Sequence, residues 1–411
     1  MKFIARQPIL SRERSVYAYE LLFRSGIENS CEGINLDQAS ASLFDTSFLI
    51  GLHRLTEGRR AFVNCPRDFL LRDYISLFPP DLVVVELLET MEPDEKVVEA
   101  CRHLKNAGYM LALDDFVDTP DWAPLIAMAD FIKVDFRLTG REEQRSLVVR
   151  HAAKGIRMLA EKVETPEEFS EAVEMGYTLF QGYFFCRPEM VQQRTVPAFK
   201  LAYLELLQST MTPEIDIGEL ATKIKHEPSL TFKLLRYLNS AAFGLRSDVH
   251  SVRHALSLLG ERELRKWIAV VSVGVLADGK PEELMTVPLV RGRFCEQAAA
   301  LTGLGDHASD LFLMGLLSVM DAILDQPLDL VLADMPVRRE IKEALLSNSG
   351  LYRNILALAI AIEKADWETV SAMSSALRMK EAQVSALYFA AVDWSAALKS
   401  GVRHQTTIWA S

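Results

Sequence analysis

Glu20, Asn64, Glu86, Asp114, Lys133, Glu161 and Gln181 all fall late in, or just after, short apolar runs in the first half of the chain, and Asp115 directly follows Asp114. Glu20, Asn64, Glu86, Asp114 and Asp115 are oxygen donors of the hard kind that hold Mg²⁺ or Mn²⁺. Carboxylates gathered in one place repel unless cations neutralise them, and ionised groups are costly to desolvate unless paired or metal-bound. Two close divalent ions would suit in-line attack of water on a phosphodiester. Lys133 could stabilise charge or orient that water, and Glu161 could add a ligand or take a proton. The stretch from Met110 to Phe136 is the densest in such groups. It reads as a site for a metal and an anion, or equally as an ordinary ion pair at the rim of a barrel. No histidine sits at a strand end and no Ser-His-Asp or Cys-His order appears, which argues against nucleophilic catalysis.

The elements that must position these groups follow a cadence. Apolar, β-rich runs recur at residues 15–23, 61–63, 82–85, 110–113, 131–134, 157–160 and 177–180, with helical patterns such as 94–107 and 165–175 between them. Strand, helix, strand repeated this often predicts a parallel sheet with crossover helices. A (β/α)8, TIM-like barrel accounts for polar residues late in every strand, because its site lies at the C-terminal ends of the strands. An open doubly wound sheet is the other arrangement, but its ligands gather at one switch point. No glycine-rich phosphate loop follows any of these strands.

The chain has 411 residues, 49% hydrophobic and 25% charged, with a net charge of −11. That suits a globular protein of two or three domains and implies no general attraction to nucleic acid or to a membrane surface. The first residues, MKFIARQPIL, hold no apolar core of signal-peptide length, and no apolar run reaches the length of a membrane span. Five scattered cysteines without a CxxC pair suit a reduced, cytoplasmic compartment.

At these same residues the sequence resembles the EAL domain, the cyclic di-GMP phosphodiesterase barrel. The signature glutamate lies in Tyr19-Glu20-Leu21-Leu22-Phe23-Arg24, preceded by Gln7-Pro8-Ile9. Phe62-Val63-Asn64, Glu86-Leu87-Leu88-Glu89, Asp114-Asp115-Phe116, Lys133-Val134-Asp135, Ala160-Glu161-Lys162-Val163-Glu164-Thr165 and Gln181-Gly182-Tyr183 complete the series in order. The resemblance implies a two-metal site of Mg²⁺ or Mn²⁺ held by Glu20, Asn64, Glu86, Asp114 and Asp115. It implies that Lys133, Glu161 and Gln181 serve the attacking water and that Gln7, Arg24 and Glu164 bind substrate. Glu89 would brace the loop after Asp115, near which the family tends to form homodimers. Three features depart from the family. Glu20-Leu21-Leu22 replaces Glu-Ala-Leu, the loop from Val117 to Trp122 replaces a Gly-Thr-Gly loop, and Lys162 replaces a glycine. Two glycines able to take positive φ are lost from the loop and Pro120 restricts it.

From about Val196 the strand cadence stops and helical patterns take over, at 199–208, 217–224, 355–365 and 370–377. Residues 227–244 and Ala255-Leu256-Ser257-Leu258-Leu259-Gly260 resemble the HDOD domain, an HD-type helical fold without hydrolase metals. Where an HD enzyme would have Gly-Leu-Leu-His-Asp, this chain has Gly315-Leu316-Leu317-Ser318-Val319, and serine and valine supply no imidazole or carboxylate to a metal. His250 and His254 share a helix spacing but lack a third ligand. Arg262, Arg265 and Lys266 read as a solvated face. The expected organisation is thus an EAL barrel at 1–195 followed by an all-α HDOD domain at 196–411. The implied function is hydrolysis of cyclic di-GMP to linear pGpG, with the helical part acting on an unidentified protein partner or on the barrel. A catalytically inactive cyclic di-GMP receptor or scaffold is the alternative.

Overall fold

A computed structural model describes residues 2–25, 52–116, 118–187, 198–211, 216–226, 230–231, 233–234, 252–333, 335–347 and 349–403. Two compact units emerge from its contacts: Met1–Glu189 with Pro281–Thr286 and Ala357–Ser411, and Met190–Lys280 with Val287–Leu356. The sequence reading places all of 196–411 in the helical domain, whereas the last helices pack with the barrel. The helix Glu381–Arg403 lies against strand β1.

The first unit is a closed eight-stranded barrel in chain order: β1 (Lys2–Ser11), β2 (Val16–Ser25), β3 (Arg60–Cys65), β4 (Val83–Leu87), β5 (Met110–Leu113), β6 (Phe131–Asp135), β7 (Arg157–Glu161) and β8 (Leu179–Gln181). Strands β2 to β8 are parallel in sequence, as the crossover pattern predicts. Strand β1 is the correction to the sequence reading. It was not among the expected runs, and it runs antiparallel to both β2 and β8. Arg6, Gln7 and Pro8 break its apolar pattern, and a proline normally demotes a strand. A hairpin joins β1 to β2, with Arg14 at φ 59° and Ser11 N–H bonded to Ser15 O at 2.8 Å.

Between the strands, local signals end the helices where expected. The Asp94 side chain caps the helix Glu95–Asn106 by accepting from Val97 N–H. Thr165 caps Pro166–Met175, which has proline in its first turn and stops at Gly176 with φ 108°. One layer of side chains fills the barrel: Ile9, Ala18, Phe62, Val84, Ala112, Phe131, Leu159 and Leu179, one from every strand. Phe62 and Phe131 meet edge to face at 5.0 Å within it.

The second unit is helical. Its helices include Ala198–Ser209, Ile217–His226, Val252–Leu276 with a break at Gly260, Ala308–Leu317 and Met320–Leu324. Gly315 allows two helices to touch backbone to backbone: a Cβ there would lie 2.5 Å from Arg291 C and Gly292 N. Residues 227–229 and 235–251, which carry much of the HDOD resemblance together with His250, lie outside the described residues, as does the His254 side chain. Among the described residues no single helix is long and apolar enough to cross a membrane.

Candidate active site

Side chains two apart on a strand share a face, so each strand carries a polar group one level above its residue in the filled layer. Ala18 leads to Glu20, Phe62 to Asn64, Val84 to Glu86, Ala112 to Asp114, Phe131 to Lys133, Leu159 to Glu161 and Leu179 to Gln181. On antiparallel β1 the order reverses, and Gln7, two before Ile9, pairs in register with Glu20. The apolar layer closes the barrel beneath a ring of polar groups at its C-terminal mouth, where barrels of this kind place their sites.

Lys133 lies at the centre, 1% exposed. Its Nζ stands 2.6 Å from Glu86 Oε1, 2.7 Å from Asp114 Oδ1, 2.9 Å from Glu161 Oε1 and 3.5 Å from Glu20 Oε2. Burial alone would lower its pKa, but Glu161, Glu20, Glu86 and Asp114 together raise it well above the usual lysine value, so it stays charged. The excess of carboxylates shows in the opposite direction. Burial pushes the Glu161 carboxyl up to about 8, with Asp114 and Glu20 adding to the rise and Lys133 opposing it. Burial and the Glu20 charge likewise raise Glu86, and burial raises Asp115.

Hydrogen bonds leave this cluster incomplete. Gln181 Nε2 donates to Glu20 Oε2 at 2.6 Å and to Gln7 Oε1 at 2.8 Å. Asn64 Oδ1, Gln181 Oε1 and the Glu86 carboxylate oxygen turned away from Lys133, Oε2, are buried without a hydrogen-bond donor. Asp115 takes φ 39° two residues past the end of β5, and Asp114, Asp115 and Glu161 bring one oxygen each within 4.8 Å of one another. Unsatisfied buried oxygens and clustered carboxylates fit divalent cations with hard-oxygen preference. Backbone geometry fixes Gln181 in turn. Gly182, at φ 142°, follows it where a Cβ would lie 2.0 Å from Val163 O, and Gln181 O accepts from Val163 N–H at 3.0 Å.

The remaining expected residues are placed differently. Arg24 pairs in register with Phe3, and its side chain lies outside the described residues. Glu164 is exposed at the rim and pairs with Arg137 at 2.9 Å. Glu89 is exposed and, among the described residues, has no hydrogen bond or ion pair. The loop is held instead from the helix Arg141–His151: Asp118 Oδ2 meets Arg150 at 2.6 Å and His151 Nε2 at 3.0 Å, and Phe116 packs edge-on against His151. Lys162 adopts φ 55°, which explains a glycine at this position in the family, and its ammonium binds Asp135. The contact of Asp118 with the helix end joins residues more than thirty apart, so no local pattern announces it.

An EAL domain model matches residues 67–188 and an HDOD domain model matches residues 196–324. The chain is 34% identical over 401 residues to YuxH of Bacillus subtilis, covering 95% of this chain and 97% of the relative. It is 35% identical over 372 residues to the cyclic di-GMP phosphodiesterase CdgJ of Vibrio cholerae, covering 90% of this chain and 86% of the relative. Among solved structures it is similar to the manganese and cyclic di-GMP complex of BlrP1 from Klebsiella pneumoniae, with 26% identity and a TM-score of 0.36. That match covers 45% of this chain and about half, 55%, of BlrP1.

Proposed function

We propose, from the premise that the chain belongs to the family joining an EAL domain to an HDOD domain, that its barrel hydrolyses cyclic di-GMP to linear pGpG. The observation that carries the reading is the mouth itself: carboxylates and an asparagine from successive strands around Lys133, with buried oxygens lacking donors. The naming of CdgJ, 35% identical over 90% of this chain, supports the substrate.

Glu20, Asn64, Glu86, Asp114 and Asp115 would hold Mg²⁺ or Mn²⁺, which supplies charge neutralisation for the phosphodiester and activation of water. Lys133 holds four carboxylates in one layer and presents positive charge to the phosphate, while Gln181 orients the water. Glu161 accepts the water proton as oxygen bonds to phosphorus. The bond from phosphorus to the 3′-oxygen breaks, that oxygen takes a proton from solvent, and the ring opens to a 5′-phosphorylated dinucleotide. Gln7 and Arg24 bind substrate, Glu164 lines the rim and Glu89 neighbours the loop. The helical unit, with serine and valine at the degenerate motif, relays ligand state to a protein partner or sets barrel activity in the cytoplasm. A homodimer through the barrel completes the proposal.

The decisive assay is turnover of cyclic di-GMP with Mn²⁺ by the full chain and by Glu20→Ala. Release of pGpG by the native chain and its loss in the variant are expected. Binding with no pGpG at any Mn²⁺ concentration would instead favour a receptor, the reading suggested by the replaced loop that Asp118 ties down.

A further inference from the structure

The turn after the helix Leu351–Glu363 belongs to the barrel unit and sits at its mouth. Gln7 Nε2, already bonded through its amide oxygen to Gln181, also donates to Glu363 O at 3.3 Å. One residue on, the exposed Lys364 places Nζ 5.3 Å from the ring centroid of Tyr183, two residues past Gln181. The chain of contacts from Glu20 through Gln181 and Gln7 therefore ends on the residue before Lys364.

This turn is built, not loose. Asp366 N–H bonds to Ala361 O at 2.9 Å and Ala365 N–H to Ile362 O at 3.0 Å, with Ala365 at φ 54°. That is a Schellman closure with Lys364 at the C-cap. The Asp366 side chain then caps the helix Trp367–Ala376 by accepting from Thr369 N–H. The backbone bearing Lys364 is thus fixed on both sides. Among the described residues no carboxylate pairs with Lys364, and its neighbour is the face of an aromatic ring. An ammonium held over Tyr183 while its neighbours fasten to Gln7 is a cation kept at the rim of an acidic mouth.

We propose that Lys364 is a further substrate-binding residue of the barrel, contributed by the C-terminal part of the chain, and that it contacts a phosphate of the cyclic dinucleotide. The inference rests on the cyclic di-GMP reading above. With the two divalent ions of the proposed function in place, the five carboxylates and Lys133 come to about zero net charge, so nothing at the mouth balances the two phosphate charges of the ligand itself. A cation at the rim supplies part of that balance and leaves the reacting atoms to the groups below. The cyclic dinucleotide then touches residues from both ends of the sequence. An isolated barrel ending near residue 195 would lack this contact.

The test compares the full-length native chain with Lys364→Ala, Lys364→Arg, Lys364→Glu and, as a surface control, Lys380→Ala. KM and kcat are measured for cyclic di-GMP with Mn²⁺, and titration calorimetry gives Kd where no turnover occurs. Loss of one charge-assisted contact should raise KM or Kd about tenfold in Lys364→Ala, and more in Lys364→Glu. In Lys364→Arg it should stay within about threefold, with kcat nearly unchanged throughout. The salt dependence of KM should flatten in Lys364→Ala, which a merely structural capping role would not produce. Unchanged KM, Kd and salt dependence in both Lys364→Ala and Lys364→Glu would overturn this proposal while leaving the function intact. A native chain that neither hydrolyses nor binds the nucleotide would overturn the function and this proposal together.

Discussion

Both units bury a charged group among partners of opposite sign, but with opposite balance. In the barrel, one ammonium, Lys133, is shared by four carboxylates and is 1% exposed. In the helical unit, one carboxylate, Glu296, is shared by Lys266 at 2.7 Å, Arg293 at 2.6 Å and Arg262 at 3.4 Å. The excess cations around Glu296 reach water; the Arg262 side chain is 62% exposed. Hydration neutralises that surplus. The surplus in the barrel is buried, and neither solvent nor a donor meets Glu86 Oε2 and Asn64 Oδ1. The vestigial HD motif repeats the contrast, since Ser318 Oγ accepts from Arg291 at 3.1 Å and donates to Gly315 O at 2.7 Å. Satisfied polar groups hold a fold together, whereas buried unsatisfied ones of one sign call for a ligand.

The largest test of this contrast is functional. Glu86→Gln removes a charge but little volume, and kcat with Mn²⁺ should fall by about a thousandfold or more. Ser318→Ala should leave it within about twofold, because Ser318 completes a structural bond only. Metal-free thermal unfolding of Glu86→Gln should be unchanged or shifted upward, since one mutually repelling carboxylate is gone. Equal losses of turnover in the two variants would erase the distinction between the sites.

The next effect is on stability and runs the other way. Gly315→Ala would put a Cβ 2.5 Å from the backbone of Arg291 and Gly292. Separating the two helices should cost about 2–3 kcal/mol, seen as a lower urea midpoint. Once Tm differences are allowed for, KM for the nucleotide should hold. A Gly315→Ala chain as stable as the native one would mean that the helices do not pack at this distance.

How much of this was legible in the sequence follows from the same physics. Glu86, Lys133 and Glu161 stand out because each interrupts an apolar run that must be buried, and a period of two then puts them on one face. Strand β1 was not legible, because Arg6, Gln7 and Pro8 hide its alternation although its neighbours pair with it. The wall it forms was equally hidden. Arg6 bonds Glu57 at 3.1 Å, Glu57 bonds Lys399 at 2.7 Å, and Lys399 bonds Thr286 Oγ1 at 2.8 Å. These partners lie 51, 342 and 113 residues apart, and no local pattern encodes them. For that reason the boundary at residue 195 marked the change in secondary structure but not the membership of the last helices in the barrel unit. The meeting of Lys364 with Tyr183 escaped for the same reason.

The smallest effect is the most discriminating, because the two units should respond to pH with opposite sign. Burial holds the Glu161 carboxyl at about 8 against an ordinary 4.5, so the folded barrel keeps a proton that the unfolded chain has lost. Its contribution to metal-free stability is complete below about pH 4.5 and disappears as pH rises toward 8. Glu296 is also buried, but Lys266 and Arg293 outweigh that burial and hold its carboxyl below 4.5. Its contribution is present above that pH and is lost on acidification. In EDTA, hydrogen-exchange protection factors (rates taken relative to intrinsic exchange at each pH) of peptides from β6 and β7 should therefore fall between pH 5 and 8. Those of peptides from the helix Glu283–Leu301 should fall only below about pH 4.5. Mn²⁺ held by Asp114 and Asp115 beside Glu161 would favour the ionised form of Glu161, so its protection of the barrel peptides should grow as pH rises toward 8 and then level off. Parallel pH profiles in the two sets of peptides, or Mn²⁺ protection independent of pH, would show that the carboxylates around Lys133 are as fully compensated as the one around Lys266 and Arg293.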